Sequence, residues 1–339
     1  MELERKLIKK ASLEKLYQKL QANGNKIFAP IIKDGKTEFH YNPSYAEVTY
    51  DHIQTIQSLK NTVFPKIENL VRFTTDRNGT EVTEVDLAKV PSLVLWGAHP
   101  CDAAGFKALK SIFMWDYKDE YFNSRMNKMV VIGLSCYKCD DNCFCTSVGL
   151  NPGATNGSDI LLTKLSTGDY LAEIITEKGK EIVNAAAELF EAAPAEAKEG
   201  NLAQVKQQFS HEKVTKNLAG AFEHPFWVEN SLRCIGCGAC AFVCPACACF
   251  DIQDETKGKT GKRLRCWDSC GFGLFTIHTS GHNPREVQSQ RWRQRIMHKF
   301  SYMPERNESL GCIGCGRCSR ACPVDMNILE QLIALEKIQ

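Results

Sequence analysis

The feature that most limits what this chain can become is a cysteine pattern written twice near its C-terminus. It reads Cys234-Ile-Gly-Cys237-Gly-Ala-Cys240-Ala-Phe-Val-Cys244-Pro245, then Cys312-Ile-Gly-Cys315-Gly-Arg-Cys318-Ser-Arg-Ala-Cys322-Pro323. Each run suits a cubane [4Fe-4S] cluster: three closely spaced thiolates reach three irons, and the glycines let the loop curl with its amide N–H groups toward the sulfides. A fourth cysteine follows one helical turn on, and the proline steers the chain away from the metal. Two such loops imply that the function involves moving electrons. A zinc ribbon would need four thiolates in two pairs and gives no reason for the third cysteine, the fourth and the proline, twice over.

In two-cluster ferredoxins the fourth cysteine ligates the other cube. The expected sets are therefore Cys234, Cys237, Cys240 and Cys322 for one cluster, and Cys312, Cys315, Cys318 and Cys244 for the other. Crossed ligation pins the two halves together and keeps the cubes near neighbours.

The length of 339 residues suggests two domains, and 43% hydrophobic content is ample for buried cores. A net charge of +2 leaves no electrostatic footprint for nucleic acid. The seventeen cysteines cluster at metal-ligand spacing in a large chain without a signal peptide, so the expected compartment is reducing and cytoplasmic. No stretch approaches the roughly eighteen apolar residues of a membrane span. Met1 to Asn23, with Leu3, Leu7, Leu13, Leu16, Tyr17 and Leu20, reads as an amphipathic helix.

The first half mixes strands and helices. Lys26 to Ile32 and Glu38 to Tyr41 read as short strands. Ser92 to Gly97 and Met129 to Leu134 are continuous apolar runs typical of buried parallel strands, with helical periodicity between them from Ala103 to Met114. That unit is a βαβ crossover. Glu177 to Ala193 and Glu196 to Glu223 are helical in composition, and a boundary is expected near Glu223-His-Pro225. The expected fold is an α/β domain over residues 1–224 with a mixed, partly parallel sheet. A mostly helical, ferredoxin-like two-cluster domain follows over 225–339, with an insertion at 245–311.

The insertion carries Cys247, Cys249, Cys266 and Cys270, a leftover set that offers a further metal site or packs beneath the cubes. It also carries a basic segment, Arg285 to Lys299, with Arg291, Arg293, Arg295 and Lys299, read as a solvated helix or salt-bridge partner, or as a docking surface for an acidic partner. His99, His278 and His282 read as hydrogen-bonded structural histidines. Gly271-Phe-Gly273 lacks the third glycine of a dinucleotide fingerprint, and Gly258 to Arg263 is too short for a P-loop. No residue is assigned to nucleotide, to flavin or to catalysis.

Several segments together resemble one family: Gly97-Ala-His-Pro-Cys101-Asp102, Gly133-Leu-Ser-Cys136 leading to Cys143-Phe-Cys145, Cys244-Pro-Ala-Cys247-Ala-Cys249-Phe, Trp267-Asp-Ser-Cys270 and Gly281-His-Asn-Pro-Arg285. This is the β-subunit of cytoplasmic sulfhydrogenases together with the A-subunit of anaerobic sulfite reductase. The resemblance runs along essentially the whole chain. It implies an iron-sulfur subunit of a hetero-oligomeric complex, passing electrons between an FAD- and NAD(P)-binding diaphorase subunit and a separate catalytic subunit of hydrogenase, sulfite reductase or heterodisulfide-reductase type. The rival reading is a stand-alone iron-sulfur oxidoreductase with a substrate-accessible cluster, which needs a cube on three cysteines beside an acid or base.

A third [4Fe-4S] site is expected in the N-terminal half. Parallel pairing of the two apolar strands puts Cys101 and Cys136 at one carboxyl edge, where open α/β sheets place their ligands. Cys143 and Cys145 follow on the loop leaving the second strand, where Asp140-Asp-Asn142 turns the chain back. The resemblance matches these four and leaves Cys139 spare; zinc or reduced thiols are the competing reading.

Overall fold

In the computed structural model, which describes residues 3–338, two sheets and three large apolar cores, with two small ones beside them, organise the described residues. The strands are β1 Glu4–Ile8, β2 Lys26–Lys33, β3 Lys36–Tyr41, β4 Ile67–Asp76, β5 Gly79–Glu84, β6 Leu93–Ala98, β7 Met129–Leu134, β8 Ile160–Lys164, β9 Tyr170–Ile174, β10 Phe190–Ala192, β11 Phe250–Lys257 and β12 Thr260–Trp267. Eight form a mixed sheet in the order β10-β1-β9-β8-β7-β6-β2-β3, and β11-β12-β4-β5 form a second. The centre of the large sheet is parallel: β6 pairs with β2 on one side and β7 on the other, and β7 with β8.

Alternation along β6 explains the layers. Val94 and Trp96 face a core with Leu13, Leu16, Tyr17 and Leu20 of helix Lys10–Ala22. Leu93 and Leu95 face the opposite core, with Phe106, Leu109 and Phe113 of helix Pro100–Phe113. That helix begins on Pro100 directly after β6, a position where its missing N–H costs nothing.

Three expected helices are redrawn. Of the first, residues 1–2 lie outside the described residues, and Glu4–Ile8 is a strand paired to β9 and β10. The four-residue spacing of Leu3 and Leu7 suits period two as well as period 3.6, and helix begins only at Lys10. The second ends at Ala185, and Phe190–Ala192 then covers the open edge of β1: strand pairing there overrides alanine's helix propensity. The third is α-helical only over His211–Leu218, capped by Ser210, whose Oγ accepts from Lys213 N, with one 3-10 turn at Lys198–Asn201 before it. The C-terminal helix expected from Asn327 is Ile328–Leu335, with Gln339 outside the described residues.

The cluster half holds helices Phe226–Ser231, Gln288–Met297 and Ile328–Leu335 around Trp227, Trp292, Ile296, Phe300 and Leu332. Within the span expected to be helical, 250–267 is a β-hairpin, and β12 pairs along its length with β4. Arg265 of β12 is buried and donates to Glu68 of β4 through Nε at 3.0 Å. The second sheet thus joins strands from both sides of residue 225. Among the described residues no helix is long and apolar enough to cross a membrane.

Candidate metal centres

The loops of the repeated motif are shaped by glycine. Gly314 (φ +65°) and Gly316 (φ +69°) adopt the left-handed region. A Cβ on Gly314 would sit 2.5 Å from Cys145 N, and one on Gly316 would sit 2.3 Å from Asn142 O. The 312–318 loop therefore lies directly on the 142–145 loop, and Phe144 N donates to Gly314 O at 2.9 Å.

Cys234, Cys237, Cys240 and Cys322 share the wall of one cavity, with Cys318, Cys270, Trp292 and Arg295 completing it. N–H groups aim at this sulfur set: Gln288 Nε2 reaches Cys234 Sγ at 3.0 Å and Met326 N reaches Cys322 Sγ at 3.1 Å. Burial raises the Cys318 thiol to about 12, with the charges of Cys315 and Cys312 adding to the effect and Arg295 opposing it. Cys244, the expected fourth member of that second set, is buried, and Lys299 bridges it to the loop: its Nζ lies 3.3 Å from Cys244 Sγ and 2.6 Å from Gly311 O.

In the N-terminal half, Cys101 stands in the first turn of the helix after β6, and Cys136 follows the end of β7. Asp140 Oδ1 accepts from Asn142 N at 3.0 Å and turns the chain back toward Cys143 and Cys145. All four line one cavity together with Cys139, Gly314 and Cys315. Gln54 Nε2 reaches Cys101 Sγ at 3.1 Å, and Arg320 Nη2 reaches Cys143 Sγ at 3.4 Å. Burial, then the charges of Cys143 and Cys139, push the Cys145 thiol up to about 12. The spare Cys139 donates to Gln204 O at 3.6 Å.

Two of the three donor sets each surround one cavity, an arrangement that suits a cubane. Among the described residues no group of three or more Cys, His, Asp or Glu side chains is arranged to hold one metal ion. A zinc ion needs its sulfurs converged at about 2.3 Å from one point, whereas the Cys234 and Cys101 sets each line a cavity; of the remaining set, Cys318, Cys315 and Cys312 each line a different one. Thiols raised by burial and mutual repulsion are also groups that must lose protons to bind, so metal uptake releases protons.

Of the leftover set, the structure brings Cys247, Cys249 and Cys270 together with Cys244, close enough that Cys247 raises the Cys244 thiol and Cys249 raises the Cys270 thiol. Cys266 instead projects on the β11–β12 hairpin beside Asp251, Glu255 and Lys262. His99 is structural, its ring nitrogens meeting Leu134 O at 3.1 Å and His52 O at 3.2 Å.

The basic segment is neither a solvated face nor a docking surface along its whole length. Arg295 and Lys299 are buried against the cysteines, Arg295 Nη1 lying 3.7 Å from Cys247 Sγ and Nη2 donating to Cys240 O at 2.8 Å. Burial lowers both cations' affinity for a proton, but the charges of Cys244 and Cys247, and of Cys240 and Cys318 for Arg295, outweigh it and raise both pKa values. The four-residue spacing of Arg291, Arg295 and Lys299 beside Trp292, Ile296 and Phe300 is the sequence signal for an inward-facing stripe. Nothing in the sequence marks Lys60, which is buried near the same cysteines and donates to Ala241 O at 2.9 Å and Cys247 O at 3.0 Å.

Residues 233–326 match the model of the 4Fe-4S dicluster domain family. The chain is 30% identical over 315 residues to "Sulfhydrogenase 2 subunit beta" of Pyrococcus furiosus, covering 91% of each chain. The chain belongs to the sulfhydrogenase β-subunit family. Membership and the dicluster domain make it an iron-sulfur electron-transfer subunit. No solved structure matches it.

Proposed function

We propose that the chain carries three [4Fe-4S] clusters, on Cys234, Cys237, Cys240 and Cys322, on Cys312, Cys315, Cys318 and Cys244, and on Cys101, Cys136, Cys143 and Cys145. In this reading it relays electrons in the cytoplasm between an FAD- and NAD(P)-binding diaphorase subunit and a separate catalytic subunit of hydrogenase, sulfite reductase or heterodisulfide-reductase type. Bound clusters supply one-electron uptake and release; the protein's part is to hold them in sequence.

The observation that carries this reading is the position of the 312–318 loop. One side lies on the loop of Cys143 and Cys145, and Cys315 joins the wall of the Cys101 cavity. Its other end, Cys318 and Cys322, joins the wall of the Cys234 cavity. This supports an order of Cys101, Cys312 and Cys234 sets, with the second as the middle station. Cys237 is exposed at one end, where a partner could approach. The name of the Pyrococcus relative marks it as one subunit of a sulfhydrogenase, which supports a hetero-oligomeric setting here.

Anaerobic purification followed by iron analysis and EPR tests the proposal. About twelve irons per chain, with one cluster signal lost in Cys101→Ser, is the expected result. About eight irons with zinc bound by the N-terminal cysteines refutes the third site.

A further inference from the structure

Burying a charge costs several kcal/mol unless a counter-charge accompanies it. Three cations, Lys60, Arg295 and Lys299, are buried around Cys240, Cys244 and Cys247. None has a carboxylate partner within 4.0 Å among the described residues: Lys60 meets two carbonyls, Lys299 one carbonyl and a sulfur, and Arg295 one carbonyl and a sulfur, with its Nε unpartnered. The cations around the Cys101 set are different. Arg317 is paired with Asp102 at 2.7 Å and Arg320 with Asp140, its Nε lying 2.9 Å from Asp140 Oδ2. One end of the path is therefore charge-balanced by protein, while the middle carries the unpaired charge of Lys299 and shares that of Arg295 with the Cys234 set.

We infer that Lys299, with Arg295 and Lys60 behind it, sets the Cys244-Cys312-Cys315-Cys318 centre as the highest-potential station of the path, the place where a transferred electron comes to rest. This rests on the three-cluster reading above. Reduction adds one electron, supplied by a redox partner, and one unit of negative charge to a cubane with its four thiolates, with no proton taken up. Unpaired cations favour that added charge, and a charged N–H directed at a ligand sulfur favours it further. At the Cys101 end the neighbouring carboxylates cancel the same benefit. Lys299 is held where it can act: residues 298–302 form a widened π-type turn after helix Gln288–Met297, and the Cα of Lys299 lies 2.9 Å from where a Cβ on Gly311 would stand.

The test is an EPR-monitored redox titration of the full chain, wild type against Lys299→Met and Lys299→Arg, with iron measured on each sample. The expected result is a full iron complement in all three and a reduction equilibrium for the middle cluster that falls at least tenfold in Lys299→Met. That is about 59 mV for a one-electron couple, with Lys299→Arg restoring most of it and the Cys101 cluster unmoved. An unchanged potential in fully loaded Lys299→Met, or an equal shift in all clusters, overturns the inference while leaving the three-cluster reading intact. Loss of iron from Lys299→Met moves the comparison to Arg295→Gln and Lys60→Met in the same titration, and unchanged potentials in both overturn it equally. A wild-type iron content near eight refutes the three-cluster reading instead.

Discussion

Removing Asp102 is expected to weaken the joint between the two halves. Its carboxylate Oδ2 accepts from Arg317 Nη2 at 2.7 Å, and both side chains are almost fully buried, at 1% exposure each. Arg317 also donates to Thr55 O and Thr55 Oγ1 at 2.9 Å, so the guanidinium is fixed at the junction of the Cys101 helix, the 45–65 segment and the Cys312 loop. Breaking a buried pair from one side leaves a charge without compensation and costs about 3–5 kcal/mol. With an unfolding entropy near 2.1 cal/mol/K per residue, 339 residues give about 0.7 kcal/mol/K. Asp102→Ala should therefore lower Tm by about 4–7 °C, measured anaerobically by calorimetry on protein of matched iron content. The double variant Asp102→Ala, Arg317→Met removes the orphaned charge and should recover much of the loss. A single variant within 1 °C of wild type, or a double variant worse than the sum of the singles, would refute this account of the joint.

Cys322→Ser should damage the cluster on Cys234, Cys237 and Cys240, leaving the one on Cys312, Cys315 and Cys318; EPR of the reduced protein showing the opposite pattern would overturn the crossed assignment. Gly314→Ala is expected to cost about 1–2 kcal/mol for the left-handed backbone and about 1–3 more for overpacking against Cys145. It should deplete iron from both the middle and the N-terminal sets, which iron analysis and a melting curve report. Stripping iron with a chelator should leave Lys60, Arg295 and Lys299 without counter-charge, so hydrogen exchange across Gln288–Tyr302 should speed up well before the large sheet opens; uniform exchange across both would count against it. The chain alone should show no NAD(P)H oxidation, and tight stoichiometric flavin binding by the purified protein would contradict that expectation.

Much of this was legible because a short-range pattern carried it. Motif spacing marks the eight cysteines of the repeated runs, and the apolar runs at 92–97 and 129–134 announce the parallel strands that put Cys101 and Cys136 on one edge. Long-range pairing is what local pattern cannot show. The 250–267 hairpin reads as part of a helical insertion because its arms alternate weakly, and its partner β4 lies far away in sequence. Phe190–Ala192 sits in alanine-rich sequence and is a strand only because β1 leaves an edge beside it. Cys266 looked like a companion of Cys270 by spacing, yet it shares a hairpin face with charged residues instead. The buried cations were hidden for the same reason: whether a lysine faces solvent or sulfur depends on what packs over it.

The pairing of β4 with β12 also dictates an order of events at synthesis. The hairpin β4–β5 can close as soon as it leaves the ribosome, but its other edge waits for Thr260–Trp267, roughly 180 residues downstream. At about 5–20 residues per second this leaves a bare strand edge for roughly 10–40 s. Such an edge is a template for pairing with another chain. The nascent chain must cross this interval before Cys312 to Cys322 emerge to meet the Cys143 loop, so in the three-cluster reading iron delivery to the middle set waits until then. Overexpression that outpaces cluster supply should accumulate aggregates nucleated at residues 67–76.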